Sequence, residues 1–288
     1  MKRPRMISAI GTPLDAEERI HLDGLRLHIE DQWDGRADGL LVAGTMGMMQ
    51  MLSDATYQDL IRYSVEFSAD RGELMVGVGD TSLRRTLDRI EYVNKFPVDG
   101  TVAIAPYFYP GIDQEWLIDY FRTLADASRS PMFLYELPGI VGYGLTPKTV
   151  SAVADHPNIA GIKWSGPVER LRWVQDRVPD DFRIIVAQPF NIDAFAHAGI
   201  TEFLDGIFSL TPHWFASYAD AIKEQNQEVI AKQHRRAIAI GEILLSENAW
   251  RTFTAILNMR GIPGRYTALP IPGPTTEIIE ALNHNPLI

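Results

Sequence analysis

Eight short apolar segments recur along the chain, and a longer stretch of helical character separates each from the next. The segments are rich in Val, Ile, Leu, Ala and Gly and do not alternate strictly between apolar and polar residues. Strands of a parallel sheet, which are covered on both faces, have this composition. In chain order they are RMISAI, GLLVAG, ELMVGVG, GTVAIAP, PMFLYELP, NIAGIKWSG, FRIIVAQP and EFLDGIFSLTP.

The stretches between these segments predict amphipathic helices. Residues 54–72 and 113–129 are examples, and the first has a polar start and a glycine at its end. An α/β chain in which eight strands alternate with helices favours a closed (β/α)8 TIM barrel over an open doubly wound sheet, here within residues 1–222. Residues 223–288 predict a C-terminal helical module that packs on the barrel or on another subunit.

Charge and composition narrow the classes of partner. The chain of 288 residues has 27 basic and 37 acidic residues, and its net charge of −10 disfavours nucleic acid and anionic membrane as partners. No cysteine is present, which excludes disulfides and thiolate nucleophiles. The amino terminus lacks the apolar core of a secretory signal, and no apolar run is long enough to span a bilayer. We expect a soluble, cytoplasmic protein with a small-molecule partner.

In a TIM barrel the chemistry lies at the carboxyl ends of the strands, and several polar residues of this chain fall there. Lys163 ends a segment that is otherwise too apolar to favour an ammonium ion. A neutral amine at that place is a nucleophile toward ketones, whereas the alternative is a lysine that reaches solvent or pairs with an acid such as Glu136. Tyr135, predicted on the neighbouring strand, could serve as a general acid or base beside an imine.

The loop GTMGMMQMLS follows the second predicted strand and is the third element of interest. Gly44 and Gly47 flank Thr45 and Met46, so backbone amides can converge on an anion to which Thr45 adds a hydroxyl group. A carboxylate fits such a loop, although most short turns of this kind only reverse the chain. The methionines of the loop are typical of core packing.

Other motifs do not indicate a cofactor. GVGDTS lacks the third glycine of a dinucleotide fingerprint, and no GxSxG elbow is present. The seven histidines form neither an HxH nor an HExxH cluster. The sequence therefore predicts neither a metal ion nor an organic cofactor.

These elements together resemble the dihydrodipicolinate synthase and N-acetylneuraminate lyase superfamily of class I aldolases. GTMG is similar to the family's carboxylate loop, YELPG to its Tyr-Asn-x-Pro stretch, and GIKWSG to its segment with the Schiff-base lysine. APYFYP and the C-terminal helices also fall where the family has equivalents. The resemblance implies that Lys163 forms an imine with pyruvate or another 2-oxo acid, that Tyr135 transfers protons, and that the Thr45 loop holds the carboxylate. It also implies a homo-oligomer, a dimer of dimers.

The chain departs from the family pattern at four positions. Met46 replaces the second hydroxyl residue of the carboxylate loop, and Phe108 replaces a tyrosine of the proton relay, for which Tyr107 and Tyr109 are the candidate substitutes. Ile140 stands where the synthases carry an arginine for the carboxylate of the aldehyde partner. Glu136 stands in place of an asparagine, and its carboxylate could pair with the lysine, contact a substrate hydroxyl group or face solvent.

We therefore predict an imine-forming lyase that catalyses aldol cleavage, condensation or dehydration and is not dihydrodipicolinate synthase itself. The alternative is a non-catalytic or diverged paralogue that binds a keto acid. The predicted catalytic residues are Lys163, Tyr135 and Thr45, and the predicted substrate-binding residues are Gly44, Met46, Gly47, Phe108, Glu136, Ile140 and Phe208.

Overall fold

The structure is a computed structural model that describes residues 1–109, 111–246 and 248–283. Within these residues there are eight β-strands, and each coincides with one of the apolar segments predicted from the sequence. They are β1 (Arg5–Ala9), β2 (Gly39–Val42), β3 (Glu73–Gly77), β4 (Gly100–Ile104), β5 (Met132–Glu136), β6 (Ile159–Trp164), β7 (Arg183–Val186) and β8 (Glu202–Asp205).

The strands form a closed barrel in which each strand neighbours those next to it in chain order. Every residue of β2, β4 and β5 is buried. Strands of a (β/α)8 barrel are enclosed on both faces, which explains why the segments are apolar runs rather than alternating patterns. The predicted TIM barrel is confirmed.

Helices connect the strands and follow the last one. Within the described residues they are α1 (Leu22–Asp34), α2 (Asp54–Ser68), α3 (Leu83–Val93), α4 (Gln114–Ala127), α5 (Pro138–Val141), α6 (Pro147–Ala154), α7 (Val168–Gln175), α8 (Ile192–His197), α9 (Pro212–Glu224), α10 (Gln227–Ser246), α11 (Ala249–Met259) and α12 (Thr276–Asn283). Side chains cap several of them; the Ser53 hydroxyl, for example, accepts a hydrogen bond from the backbone N–H of Thr56 at the start of α2. The helices predicted over residues 54–72 and 113–129 are confirmed.

Contacts within the chain group it into two compact units, of residues 1–73 together with 188–288, and of residues 74–187. In the first unit β1 pairs in parallel with β2 and with β8, so that Ile7 is aligned with Gly39 and with Leu204. In the second unit β4, β5, β6 and β7 pair in order.

The C-terminal segment is helical as predicted, because α10, α11 and α12 follow α9. The predicted boundary after residue 222 falls in the last turn of α9. Division of the chain there into a barrel and a helical module stays a prediction. Glu247 and residues 284–288 of that predicted module lie outside the described residues.

The described residues were not expected to span a membrane or to hold a metal ion. None of the helices in the described residues combines the length and the apolar content that crossing a membrane requires. Across residues 1–109, 111–246 and 248–283, no three acidic or histidine side chains come together in a way that could hold a metal ion.

His28 on α1 is a core histidine of the first unit. Its side chain is fully buried, and its ring lies edge-on to that of Tyr266, with 5.5 Å between the ring centroids. Neither ring nitrogen has a hydrogen-bond partner among the described residues. Burial, with a smaller contribution from the charge of Arg260, lowers the pKa of His28 to about 3. His28 is therefore neutral in the folded protein at physiological pH.

This burial predicts an acid-sensitive core. Between pH 6.5 and about 3 the unfolded chain binds a proton at His28 that the folded chain does not. The contribution of His28 to the free energy of unfolding is therefore complete above pH 6.5 and is lost as the pH falls toward 3. We expect the wild type to lose about 3 kcal/mol more free energy of unfolding between pH 7 and pH 4.5 than His28→Leu does. Urea denaturation at both pH values measures this, with exposed His197→Gln as the control. Equal losses in wild type and His28→Leu would contradict the prediction.

Candidate active site

Lys163 and Tyr135 lie side by side near the carboxyl ends of β6 and β5. The register of the two strands aligns Tyr135 with Lys163, and aligned residues of neighbouring strands point to the same face. The Nζ atom of Lys163 lies 3.6 Å from the centroid of the Tyr135 ring, which is within the range of a cation–π contact. Both side chains are buried, with exposed fractions of 6% and 8%. The structure thus brings together the two residues on which the predicted imine chemistry depends.

The Lys163 amine has no acidic partner among the described residues. Its contact there is with an aromatic ring and not with a carboxylate. The neutral form of a lysine amine is the form that adds to a carbonyl carbon. The surroundings of Lys163 therefore differ from those of a structural ion pair, which was the alternative that the sequence left open.

Glu136 points away from Tyr135, because successive residues of a strand face opposite sides. It is aligned with the buried Trp164 of β6. Its Oε2 accepts a hydrogen bond of 2.8 Å from the backbone N–H of Leu145, and its Oε1 lies 3.4 Å from Nη1 of Arg170. Burial raises the pKa of Glu136 to about 7, although the Leu145 N–H and Arg170 act in the opposite direction. The carboxylate neither faces solvent nor pairs with the candidate Schiff-base lysine.

The segment 137–145 connects β5 to α6 and carries Ile140. The short helix α5 lies within it and ends at Gly142, whose φ of +84° is in the region that favours glycine. The hydroxyl group of Tyr143 donates a hydrogen bond to the carbonyl oxygen of Pro106, beyond β4. The Ile140 side chain is 60% exposed. This segment therefore presents an apolar surface at the position where the resemblance places an arginine.

The aromatic residues that follow β4 differ in burial. Phe108 is 77% exposed with a φ of +84°, which is uncommon for a residue with a side chain, and its ring meets that of Tyr109 edge to face. Tyr107 is half-buried; burial and the charge of Asp80 raise its pKa to about 12, so it keeps its proton at neutral pH. Pro110, the last residue of the predicted APYFYP segment, lies outside the described residues.

A cluster of ion pairs at the end of β3 was missed in the sequence. Asp80 is buried; its Oδ1 lies 3.0 Å from Nε of Arg85, and its Oδ2 lies 2.9 Å from Nη2 of Arg89. Burial opposes the shift, but hydrogen bonds from Arg85 and Thr81 together with both arginine charges lower the pKa of Asp80. The spacing of the two arginines by four residues on α3, just after an aspartate, was the signal that could have indicated this cluster.

The Thr45 loop belongs to the first unit and follows β2. Its turn is closed by a hydrogen bond of 3.1 Å from the Met48 N–H to the Thr45 carbonyl oxygen. The Thr12 hydroxyl group donates a hydrogen bond of 2.7 Å to the carbonyl oxygen of Gly47. Within the described residues, the backbone N–H groups of Thr45, Met46 and Gly47 have no acceptor. Binding of a carboxylate by these amides stays a prediction.

The remaining predicted residues of the first unit lie in packed surroundings. Gly44 is buried, and Met46 lies against Gly206, where an added Cβ would come within 2.6 Å of the methionine sulfur. Phe208 lies in a 3-10 turn after β8; it is 1% exposed, and its ring centroid is 4.3 Å from that of Phe215. The structure places Phe208 in the core, and its role in substrate binding stays a prediction.

Comparison with known proteins agrees with the geometry. The model of the dihydrodipicolinate synthetase family matches residues 2–284. The chain is 29% identical over 283 residues to the 4-hydroxy-tetrahydrodipicolinate synthase of Streptococcus pneumoniae strain Hungary19A-6, a match that covers 96% of this chain and 89% of the relative.

Solved structures share the fold. The 4-hydroxy-tetrahydrodipicolinate synthase of Methylacidiphilum fumariolicum SolV superimposes with a TM-score of 0.88 and 24% identity, covering 98% of this chain and 94% of that one. A prophage protein of the dihydrodipicolinic acid synthase family from E. coli K12, solved in complex with pyruvate, gives a TM-score of 0.88 and 22% identity, covering 97% of both chains. The resemblance inferred from three short motifs is therefore confirmed: this chain belongs to the dihydrodipicolinate synthetase family and is a lyase-type enzyme of that family.

Proposed function

We propose that the chain is a class I lyase that forms a Schiff base between Lys163 and pyruvate or another 2-oxo acid. The observation that carries the proposal is the burial of Lys163 beside the Tyr135 ring, with no acidic partner among the described residues. Membership of the family supports it, and a structural neighbour has been solved with pyruvate bound.

The reaction begins with addition of the neutral Lys163 amine to the ketone carbon, which gives a carbinolamine. Protonation of the carbinolamine hydroxyl group and its departure as one water molecule then give an iminium ion on Nζ. Removal of a proton from the neighbouring carbon produces an enamine, whose carbon can attack an aldehyde, and hydrolysis of the resulting imine releases the product and the amine. Reversal of these steps is aldol cleavage, and loss of water from a sugar acid is a further use of the same imine.

Two other groups have roles in this proposal. Tyr135 is the general acid or base that carries protons during carbinolamine formation and collapse, because its ring lies against the Lys163 amine. The Thr45 loop would bind the carboxylate of the 2-oxo acid through its unpaired amides and the Thr45 hydroxyl group. The homo-oligomer that the resemblance implies, a dimer of dimers, is part of the same proposal.

The second substrate is proposed to be less anionic than that of dihydrodipicolinate synthase. Ile140 is largely exposed and apolar, and a carboxylate bound beside it would lack a cationic partner from that position. The arginine near this segment, Arg170, is engaged with Glu136. We therefore propose a lyase with a neutral aldehyde or sugar-derived partner.

The competing function is a non-catalytic paralogue that binds a keto acid. Two substitutions favour it: Met46 removes a hydroxyl group from the carboxylate loop, and Phe108 is an exposed ring without the phenolic hydroxyl. The buried pair of Lys163 and Tyr135 favours the enzyme, because a binding protein does not require an amine in these surroundings.

Trapping with borohydride tests the proposed function. After incubation with pyruvate and reduction, we expect a secondary amine adduct, and peptide mapping by mass spectrometry should place it on Lys163 and on no other lysine. Incubation with pyruvate without reductant, and reduction without pyruvate, are the controls. Absence of an adduct with pyruvate and with a panel of 2-oxo acids would favour the non-catalytic paralogue.

A further inference from the structure

Glu136 has a set of contacts that the predicted chemistry does not use. Its carboxylate is 2% exposed and binds the Leu145 N–H and the Arg170 guanidinium, which belong to the segment before α6 and to α7. The backbone carbonyl oxygen of Glu136 also accepts a hydrogen bond of 2.9 Å from the Ser165 N–H, just after β6. One residue at the end of β5 therefore joins the segments that follow β5 and β6, the strands that carry Tyr135 and Lys163. We call Glu136, Leu145 and Arg170 the Glu136 anchor.

Two glycines leave no free volume around this anchor. A Cβ added at Gly144 would lie 2.2 Å from Nη1 of Arg170 and 2.7 Å from Oε1 of Glu136. A Cβ added at Gly166 would lie 3.0 Å from Cγ of Glu136. Because the carboxylate is enclosed by backbone and by Arg170, it has no room beside it for a substrate molecule.

The Glu136 carboxylate links the two ends of the segment 137–145. Glu136 stands directly before the segment and binds the N–H of its last residue, Leu145. The neighbouring backbone is held separately by Gln114, whose amide donates a hydrogen bond to the Gly144 carbonyl oxygen and accepts one from the Thr146 N–H, at 3.1 and 2.9 Å. The exposed Ile140 lies between these fixed ends, so its position depends on them.

We propose that Glu136 is a positioning residue that closes the segment 137–145 and thereby fixes Ile140 for binding of the second substrate, without itself contacting either substrate. This inference rests on the proposed function, because it assigns the second substrate of that reaction to the Ile140 segment. It replaces the sequence-based interpretation of Glu136 as a substrate-binding residue.

Imine formation with pyruvate and use of the aldehyde depend on different residues in this proposal. Lys163 and Tyr135 face the other side of their strands, so imine formation with pyruvate depends on them and less on the anchor. Use of the aldehyde depends on where the segment holds Ile140. Loss of a hydrogen bond to a buried carboxylate typically costs enough to weaken a dependent interaction about tenfold.

The test compares Glu136→Gln, which keeps an acceptor for the Leu145 N–H but removes the charge, with Glu136→Ala, which removes both. Glu169→Gln, an exposed acid on the same helix as Arg170, is the matched control. Three measurements are made: borohydride trapping of pyruvate, hydrogen–deuterium exchange of the peptide that spans residues 137–146, and steady-state kinetics with pyruvate and D-glyceraldehyde, which give kcat and the KM for this neutral acceptor.

We expect Glu136→Ala to exchange faster than the wild type over residues 137–146 and to raise the KM for D-glyceraldehyde by about tenfold, with a much smaller change in kcat and in adduct formation. Glu136→Gln should show both effects more weakly, and it remains informative if the alanine variant does not fold. The inference would be overturned if exchange over the segment or the KM for the acceptor were unchanged in Glu136→Ala. It would also be overturned if the wild type did not use D-glyceraldehyde, or if adduct formation and acceptor use were lost equally. A wild type that forms no adduct with pyruvate or with any member of the panel of 2-oxo acids would instead refute the proposed function, and the exchange result would still decide whether Glu136 holds the segment.

Discussion

Replacement of Lys163 by arginine should abolish both the pyruvate adduct and turnover while the barrel stays folded. The guanidinium group of an arginine can lie on the Tyr135 ring, where the lysine Nζ is 3.6 Å from the ring centroid. A guanidinium group remains protonated at accessible pH and does not add to a ketone. Since imine formation is the first covalent step, we expect a loss of at least about 10³-fold in turnover, equivalent to about 4 kcal/mol of barrier.

The fold of this variant can be monitored independently of its activity. Thermal unfolding of Lys163→Arg should lie close to that of the wild type, because the long aliphatic stem and the contact with the ring are kept. Lys148→Arg on α6, which is exposed, serves as a matched control and should retain adduct and turnover. Undiminished turnover in Lys163→Arg, or an adduct that moves to another lysine, would show that the nucleophile lies elsewhere.

The fold could be predicted because its signal is local. Most residues of the strands are buried, and the strands are therefore mostly apolar runs of 4–6 residues, which the sequence displays directly. The pairing of Tyr135 with Lys163 could also be anticipated, because neighbouring strands of a parallel barrel bring their carboxyl ends together. The register of β5 and β6, which places both side chains on one face, could not be predicted from the sequence.

The direction of the Glu136 side chain could be predicted from the sequence, but its contacts could not. Alternation along a strand already indicates that Glu136 and Tyr135 face opposite sides. Its partners were not predictable, since Leu145 lies beyond a turn at Gly142 and Arg170 lies on α7, and their approach depends on the path of two loops. The ion pair of the buried Glu136 with Arg170 is a tertiary feature that no spacing in the chain encodes.

The burial of the aromatic residues after β4 could not be predicted from the sequence either. Nothing in the sequence PYFY distinguishes the half-buried Tyr107 from the exposed Phe108, which adopts a left-handed backbone conformation. The ion pairs of Asp80 with Arg85 and Arg89 were not predicted either, because an ion pair between a turn and the following helix requires the orientation of the helix to be known.

Removal of the Tyr135 hydroxyl group should slow the reaction without removing the nucleophile. Tyr135→Phe keeps the ring against Lys163 and deletes only the group that exchanges protons, so we expect the pyruvate adduct to form more slowly and kcat to fall by about 10² to 10⁴. Stopped reactions trapped at successive times give the rate of adduct formation, and steady-state assays give kcat. Tyr63→Phe on α2 is a control that removes a phenolic hydroxyl group remote from β5 and β6 in sequence, and it should match the wild type. If Tyr135→Phe formed the adduct and turned over at the wild-type rate, Tyr135 would only pack on the lysine, and the proton carrier would have to be sought among other hydroxyl groups such as that of Thr45.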